Sequence, residues 1–298
     1  MASGTVVLPE LSAVLTRATP LLIIGLAVAL AFRAGVWNIG AEGQFYAGAV
    51  VAVFLGTRWS GAFPGAEIVV VVAAAAGGAL WAAVPALLRY RFGVLEVITT
   101  IMLNFIAEHL VAFLVHGPLQ EAARTYPQSD AIHASLRWSP LLAGSRLTLA
   151  FPLGVALAIA LWLMLWRTRM GFQLRATGLN PIAARLSGRI PVARVGLQAF
   201  LLSGAIAAIA GATEISGVTF ALYERLSPGY GYTAIAVALL ARLHPLLVIG
   251  SALFFGALEA WAAVLQRSAG IPAVTVYAVE AILIVAIVVF ERSTRRRV

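Results

Sequence analysis

The stretch AGVWNIGAEGQFY, residues 34–46, separates two apolar segments that are long enough, or nearly so, to cross a bilayer. It contains a carboxylate, two amides and three glycines among aliphatic neighbours. Polar groups at membrane depth are costly, so Asn38, Glu42 and Gln44 are expected to face protein or water. Irregular backbone is tolerated there only where it is buried or lines a cavity. The stretch therefore predicts a broken helix beside a solute pathway.

The composition of the chain predicts an all-α polytopic membrane protein. Of its 298 residues, 61% are hydrophobic and only 11% are charged, which is too much apolar surface for a soluble domain to bury. No long polar segment separates a second unit, so residues 1–298 are predicted to form one transmembrane domain. There is no cysteine, which excludes disulfides and thiolate metal sites.

The apolar pattern predicts about nine membrane segments, including short and broken helices. They are expected at 11–32, 47–55, 68–88, 94–115, 147–166, 195–215, 233–241, 245–265 and 272–290. The segment 233–241 is too short to span alone and is alternatively a re-entrant half helix.

The distribution of arginine predicts the orientation, because basic residues concentrate on the cytoplasmic side. All 21 basic residues are Arg, and they lie mainly in short loops, which favours a topological role over nucleic-acid binding. If the loop 167–194 and the C-terminal tail are cytoplasmic, 14 of the 21 are inside. The N-terminus and the loop 117–146 are then extracytoplasmic, provided that 233–241 crosses.

The segment 94–115 carries most of the remaining buried polarity. Glu96, Thr100 and Asn104 are spaced i, i+4, i+8 and share a helical face, with Thr99 beside them. They are expected to line the substrate pathway together with the polar residues of 34–46, and Glu42 and Asn104 are expected to face a common cavity. The alternative is that both groups are structural, bracing a helix start and bonding between helices.

An internal repeat is also suggested. A long apolar segment, a glycine-rich polar turn and a short apolar helix occur at 21–55 and again at 197–241. Short, interrupted segments at matching positions point to the solute path in transporters. Glu259 and Glu280 lie inside apolar segments, where they are expected to pack at a subunit interface or to pair with Arg.

Two classes of function survive the search for motifs. No Gly-x-x-x-x-Gly-Lys-Ser/Thr loop is present, so the chain is not itself an ATPase, and no His-Glu-x-x-His zinc motif is present. The chain is either the permease of an ATP-driven importer or an ion-gradient-driven secondary transporter or channel for a small polar solute. Only the first needs a helix in 167–194 that is exposed to a partner.

Four stretches resemble, in order, the signatures of permease subunits of nucleoside and simple-sugar ABC importers, a family of inner-membrane permeases. They are WNIGAEGQ (37–44), LEVITTIMLNFIA (95–107), GLNPIAAR (178–185) and GYGYTAIAVALL (229–240). They are distributed along most of the chain, so the resemblance extends over nearly all of it. The first two are similar to the nucleoside branch of the family rather than to the ribose branch. Thr233 and Ala234 depart from the family pattern, and members commonly have one more N-terminal helix.

The resemblance implies a fold similar to the permeases of type II importers and a location in the bacterial inner membrane. It also implies a second permease subunit, cytoplasmic ATPase subunits and an extracytoplasmic substrate-binding lipoprotein. ATP and Mg are then bound by the ATPase partner, and no cofactor is expected on this chain.

A coupling helix that receives the motion of the ATPase is predicted at 176–188. Asn180 is a good N-cap, Pro181 suits the first helical position, and Gly188 supplies the stop. Ile182, Ala183 and Leu186 are expected to form the docking face, so a Trp in place of Ala184 is expected to block docking. The proposed coupling residues are Gly178, Leu179, Asn180, Pro181, Ala183, Ala184 and Arg185.

Overall fold

The computed structural model describes residues 4–59, 65–269 and residue 282, and in this part of the chain every regular element is helical. The helices are α1 (Gly4–Arg33), α2 (Ala41–Arg58), α3 (Ala66–Phe92), α4 (Glu96–His116), α5 (Ala150–Arg167), α6 (Arg169–Leu179), α7 (Pro181–Leu186), α8 (Val192–Glu214), α9 (Tyr230–Leu240) and α10 (Pro245–Ala269). The predicted all-α class is confirmed.

Six helices are long and apolar enough to cross a membrane. They are Leu11–Arg33, Ala66–Phe92, Glu96–His116, Ala150–Arg167, Val192–Thr219 and Pro245–Val264. Two further predicted segments correspond to α2 and α9, which are not among the six. The predicted segment 272–290 lies outside the described residues. The structure thus supports six spans and does not confirm the count of nine.

The helix break predicted at 34–46 is present. The helix α1 ends at Arg33, and α2 begins at Ala41. Gly35 has φ +74°, a conformation that side chains with a Cβ rarely adopt. A corresponding break follows α8, where a π-helical turn, Ile215–Thr219, leads into the loop before α9.

The two breaks belong to two halves that are packed crosswise. The long helix α1 packs against α9 and α10, whereas the long helix α8 packs against α2 and α3, and α1 and α8 contact each other. Exchanging α1 with α8, α2 with α9 and α3 with α10 therefore reproduces the main packing relations. This arrangement supports the predicted repeat of 21–55 and 197–241.

Glycines allow the close crossings at α8. A Cβ on Gly211 would clash with the carbonyl oxygen of Phe45 in α2, and one on Gly204 would clash with the backbone of Gly78 in α3. A Cβ on Gly78 would in turn meet the Gly204 carbonyl. Small residues at such contacts let helix backbones approach closely, which is a main source of helix association in lipid.

The two ends of the bundle differ. At one end, the segment 117–149 lies along the segment that follows α8, with backbone hydrogen bonds from Ile132 to Phe220 (2.8 Å) and from Trp138 to Ser216 (2.8 Å). At the other end, α5 continues into the short helices α6 and α7. These are the two loops that the sequence assigns to opposite sides of the membrane.

Candidate functional site

The helix break is held together by the side chain of Asn38. Its Nδ2 donates to Gln44 Oε1 (3.0 Å) and to Ser203 Oγ (2.9 Å), while its Oδ1 accepts from Gly40 N (3.0 Å) and Gln44 Nε2 (3.1 Å). Ser203 Oγ donates in turn to Ala27 O (2.9 Å). Asn38 is fully buried, so all of its hydrogen-bonding capacity is satisfied inside the protein.

Asn104 of α4 supports the same break from the other side. Its Oδ1 accepts from Gly43 N in the first turn of α2 (2.9 Å), and its Nδ2 donates to Ile39 O (3.0 Å) and to Tyr232 OH (3.2 Å). The free N–H of a helix start and the carbonyl of an irregular residue both need partners at this depth. Asn104, 0% exposed, supplies both.

Glu42 joins the start of α2 to the start of α9. Its Oε2 accepts a hydrogen bond of 2.6 Å from the backbone N–H of Gly231, and Gly231 lies so close that a Cβ there would clash with the Glu42 backbone. A carboxylate at a helix N-terminus is stabilised by the helix dipole. Since Glu42 is 1% exposed, the two short helices meet at a buried, carboxylate-bridged junction.

The remaining polar residues of α4 mostly face their own helix or an arginine. Thr100 is buried and Thr99 is half-buried, and both hydroxyls donate to the carbonyl of Glu96 (2.7 and 3.1 Å). The Glu96 carboxylate forms an ion pair with Arg89 at the end of α3. The predicted shared face of Glu96, Thr100 and Asn104 is buried, as expected for such a stripe.

The structure therefore brings Glu42 and Asn104 to the same place, next to the start of α9, but not into an open cavity within this chain. Glu42, Asn38, Gln44 and Asn104 bind protein groups, which supports the bracing interpretation. Ser203, Gly231 and Tyr232 complete this junction, and no local sequence pattern indicates these contacts.

At the end of the bundle formed by α6 and α7, the helix α7 has the predicted N-cap. Asn180 Oδ1 accepts from Ile182 N (3.1 Å) and Ala183 N (3.0 Å), Pro181 is the first helical residue, and Gly188 has φ +66°. Ala183 and Arg185 are exposed. The predicted helix 176–188 is in fact divided, because α6 runs through Gly178 to Leu179 before α7 starts.

The exposed face of this region is apolar, and Ala184 does not belong to it. Leu179, Ile182 and Leu186 are strongly exposed, with Leu186 at 82%, whereas Ala184 is only 6% exposed. Packing of Ala184 against the rest of the chain means that a bulky residue there would disturb the helix itself. Docking of a partner is therefore better tested at the exposed Leu179 or Leu186 than at the buried Ala184.

The helices α6 and α7 and the turn between them form a joint, and Gly178 in α6 brings this joint into contact with the helix break. A Cβ on Gly178 would clash with the carbonyl oxygen of Arg33, the last residue of α1, and a Cβ on Gly35 would lie 3.2 Å from Gly178 Cα. Only glycine permits this approach of α6 to the break. The helix α6 is therefore in direct backbone contact with residues 33–35.

Trp166 forms the centre of a cationic cluster beside this contact. The guanidinium carbons of Arg33 and Arg175 lie 4.8 and 5.5 Å from a Trp166 ring centroid, and the His244 ring is centred 4.9 Å away. Arg33 also donates to Leu243 O (2.8 Å). Burial, and then the charge of Arg33, lower the pKa of His244 below its usual value.

Other acidic residues of the sequence were also expected to have structural contacts. Glu259 lies near Arg17 of α1, with a closest N–O distance of 3.8 Å, as expected for an acidic residue in an apolar helix, while Glu280 lies outside the described residues. In the described part of the chain, no three His, Cys, Asp or Glu side chains are grouped so that they could hold a metal ion.

Comparison with known proteins supplies an independent line of evidence. A family model described as "Branched-chain amino acid transport system / permease component" matches residues 10–288. No solved structure gives a significant match.

Curated relatives extend over most of the chain. The glucose ABC transporter permease protein TsgB13 of Haloferax volcanii is 35% identical over 97% of this chain and 78% of its own length. The guanosine ABC transporter permease protein NupP of Bacillus subtilis is 37% identical over 89% of this chain and 77% of its own length. The nucleoside ABC transporter permease protein NupB of Lactococcus lactis is 30% identical over 89% and 75%, respectively.

Proposed function

The chain belongs to the family of permease components of branched-chain amino acid transport systems, and from this premise we propose that it moves nucleosides or related simple sugars through the plasma membrane. It is a multi-pass membrane protein, since six apolar helices accompany the family match. The solute class follows from relatives that are named for guanosine, nucleosides and glucose.

The observation that carries the partner-dependent mechanism is the exposed apolar joint at α6 and α7. Three large apolar side chains are exposed there, Leu179 at the end of α6 and Ile182 and Leu186 on α7, and α6 contacts the helix break through Gly178. A self-contained transporter has no need of such a face. An ATPase subunit that covers it would move the break directly.

The proposed assembly contains a second permease subunit, cytoplasmic ATPase subunits and an extracytoplasmic substrate-binding lipoprotein. ATP and Mg are bound by the ATPase, and this chain has no catalytic role. The pathway is expected to pass the junction of α2, α4 and α9, with Asn38, Glu42, Gln44 and Asn104 holding the break and the partly exposed Trp37 and Tyr232 facing the path.

The topology proposed for this assembly has the joint α6–α7 inside and the segment 117–149 outside. The six spans, together with α2, α9 and the predicted segment 272–290, give nine crossings and an outside N-terminus. This arrangement places most arginines in the cytoplasm, as the positive-inside rule requires.

Reconstitution tests the proposed function. Liposomes that contain the full importer should accumulate a radiolabelled nucleoside only with ATP, whereas liposomes that contain this chain alone should show neither ATP hydrolysis nor accumulation. Ion-gradient-driven accumulation by the chain alone would contradict the proposal. A full importer that takes up glucose and no nucleoside would narrow the solute class to sugars.

A further inference from the structure

We propose that this subunit has its own nucleoside-binding vestibule at the end of the bundle opposite α7. This inference rests on the proposed function and narrows its solute class. The vestibule is a cavity of about 570 Å³ between the segment 117–149 and the segment after α8. Its lining residues are Trp138, Pro140, Ser145, Arg146, Gly217, Val218, Thr219, Phe220 and Tyr223.

The walls of the vestibule are fixed by backbone contacts and do not depend on side-chain packing alone. Trp138 N donates to Ser216 O in the π-helical turn (2.8 Å), and Ile132 N donates to Phe220 O (2.8 Å). Phe220 has φ +60°, a conformation that is uncommon for an aromatic residue. Strained backbone and π-helical turns are often found at functional sites, and here both adjoin the same cavity.

The chemistry of the lining suits a flat ring that carries hydroxyl groups. Trp138, Phe220 and Tyr223 supply three aromatic side chains, and aromatic faces stack on nucleic-acid bases. Ser145 and Thr219 add hydroxyl groups to the same lining, which can form hydrogen bonds with a ring carbonyl or a sugar hydroxyl.

The charges around the vestibule favour a neutral ligand. Arg146 is the only charged residue in its lining, and it also lines a small neighbouring cavity that contains Glu214. Glu214 is only 9% exposed. With Arg146 as its single cationic lining residue, the vestibule does not present the cluster of cationic groups that a phosphate would require. A nucleoside therefore fits better than a nucleotide.

Binding to the full chain in lipid nanodiscs tests this assignment. Saturation-transfer NMR with uridine, which detects weak binding, should give a signal with the wild-type chain and a much weaker one with uridine 5′-monophosphate. Trp138→Ala should reduce the affinity on the order of tenfold, since it removes one stacking platform. Trp138→Phe keeps an aromatic face, although a smaller one, so its loss of affinity should be smaller.

Trp261→Phe is the matched control, because Trp261 is exposed on α10 and lies outside the vestibule lining. It should bind uridine as the wild type does. If Trp138→Ala fails to fold, Tyr223→Leu provides a second removal of an aromatic wall. Absence of uridine binding to the wild type, equal binding by the variants, or tighter binding of the monophosphate would each overturn the proposal.

Uptake by the complete importer separates this inference from the proposed function. The importer with Trp138→Ala should need roughly tenfold more nucleoside for half-maximal uptake, with normal ATPase assembly. If Trp138→Ala leaves nucleoside uptake at the wild-type level, the vestibule is refuted but the proposed function is not. An importer that transports glucose and no nucleoside would also refute the vestibule alone, whereas one that transports neither nucleoside nor sugar would refute the proposed function itself.

Discussion

The side-chain amide of Asn38 stabilises the helix break through four hydrogen bonds. Each of its polar atoms makes two hydrogen bonds, and its partners come from the break itself, from α2 and from α8. Its polarity and position are visible in the sequence. Its partner Ser203 is 165 residues away, and no local pattern predicts that contact.

Substituting Asn38→Leu should therefore destabilise the protein. The change leaves buried groups on Gln44 and Gly40 without partners and removes one of the two hydrogen bonds of Ser203, and each unpaired group costs about 1–3 kcal/mol. We expect a loss on the order of 3 kcal/mol or more, measured as a lower melting temperature in detergent. Thr99→Val, which removes a hydroxyl bonded only within its own helix, should change it little. Equal melting temperatures for Asn38→Leu and wild type would argue against the bracing role.

His244 should make stability depend on pH. Burial and the Arg33 charge lower its pKa in the folded protein below the usual value near 6.5, so the unfolded chain takes up the proton first. This contribution is therefore present above the unfolded pKa and is lost as the pH falls through it. His244→Phe keeps an aromatic ring beside Trp166 and removes the titration.

Thermal unfolding between pH 8 and pH 5 measures this effect. The wild type should lose more stability on acidification than His244→Phe does. Identical losses in the two proteins would show that His244 does not titrate differently in the folded and unfolded states.

The joint of α6 and α7 has a buried face, which includes Ala184, and an exposed apolar face. Its cap was predictable, since Asn180, Pro181 and Gly188 are a local signal. Which face is exposed was not predictable, because α7 has only six residues, too few to show a periodic apolar pattern, and its exposure depends on how α6 and α8 pack against it. Ala184 accordingly faces inward although its neighbours Ala183 and Arg185 are exposed.

Leu186→Glu should weaken the attachment of the ATPase. Leu186 is 82% exposed, so a carboxylate there should leave folding intact while adding a charge to the apolar docking face. We expect less ATPase to copurify with the permease pair, by about fivefold or more for a loss near 1 kcal/mol. Leu142→Glu, exposed at the other end of the bundle, is the control. Equal copurification in both variants would be evidence against docking at α7.

Gly178→Ala should separate binding from coupling. The added Cβ clashes with the Arg33 carbonyl, so α6 must move away from the helix break while the outer face of α7 is unchanged. The ATPase should still copurify, but its stimulation by loaded substrate-binding protein should fall. Wild-type stimulation would show that the contact between Gly178 and residues 33–35 does not carry the motion.

At the scale of the whole molecule, the charge distribution sets the orientation. The net charge of +9 results from 21 arginines against 12 acidic residues, and six of these arginines lie between residues 167 and 194, around α6 and α7. Hydrophobic segments and arginine positions are properties of the chain alone, so the sequence predicts the helices well. It cannot specify how α2 and α9 meet, because that contact joins Glu42 to a backbone N–H 189 residues away.

Single cysteines test the orientation, and the chain has no native cysteine to interfere. A membrane-impermeant maleimide added to intact cells should label Ser145→Cys, at the proposed outer end. Ser187→Cys, beside α7, should react only after the cells are made permeable. The reverse pattern would invert the proposed topology.

The crosswise packing of the two halves also limits how this subunit can move. Because α1 lies against α9 and α8 lies against α2, each half is threaded through the other, and neither can swing away as an independent lobe without unfolding the core. We therefore expect the two halves of the subunit to move together. In the proposed assembly with a second permease subunit, opening and closing would then take place along the seam between the two subunits, and tilting of one against the other would expose a solute to one side at a time.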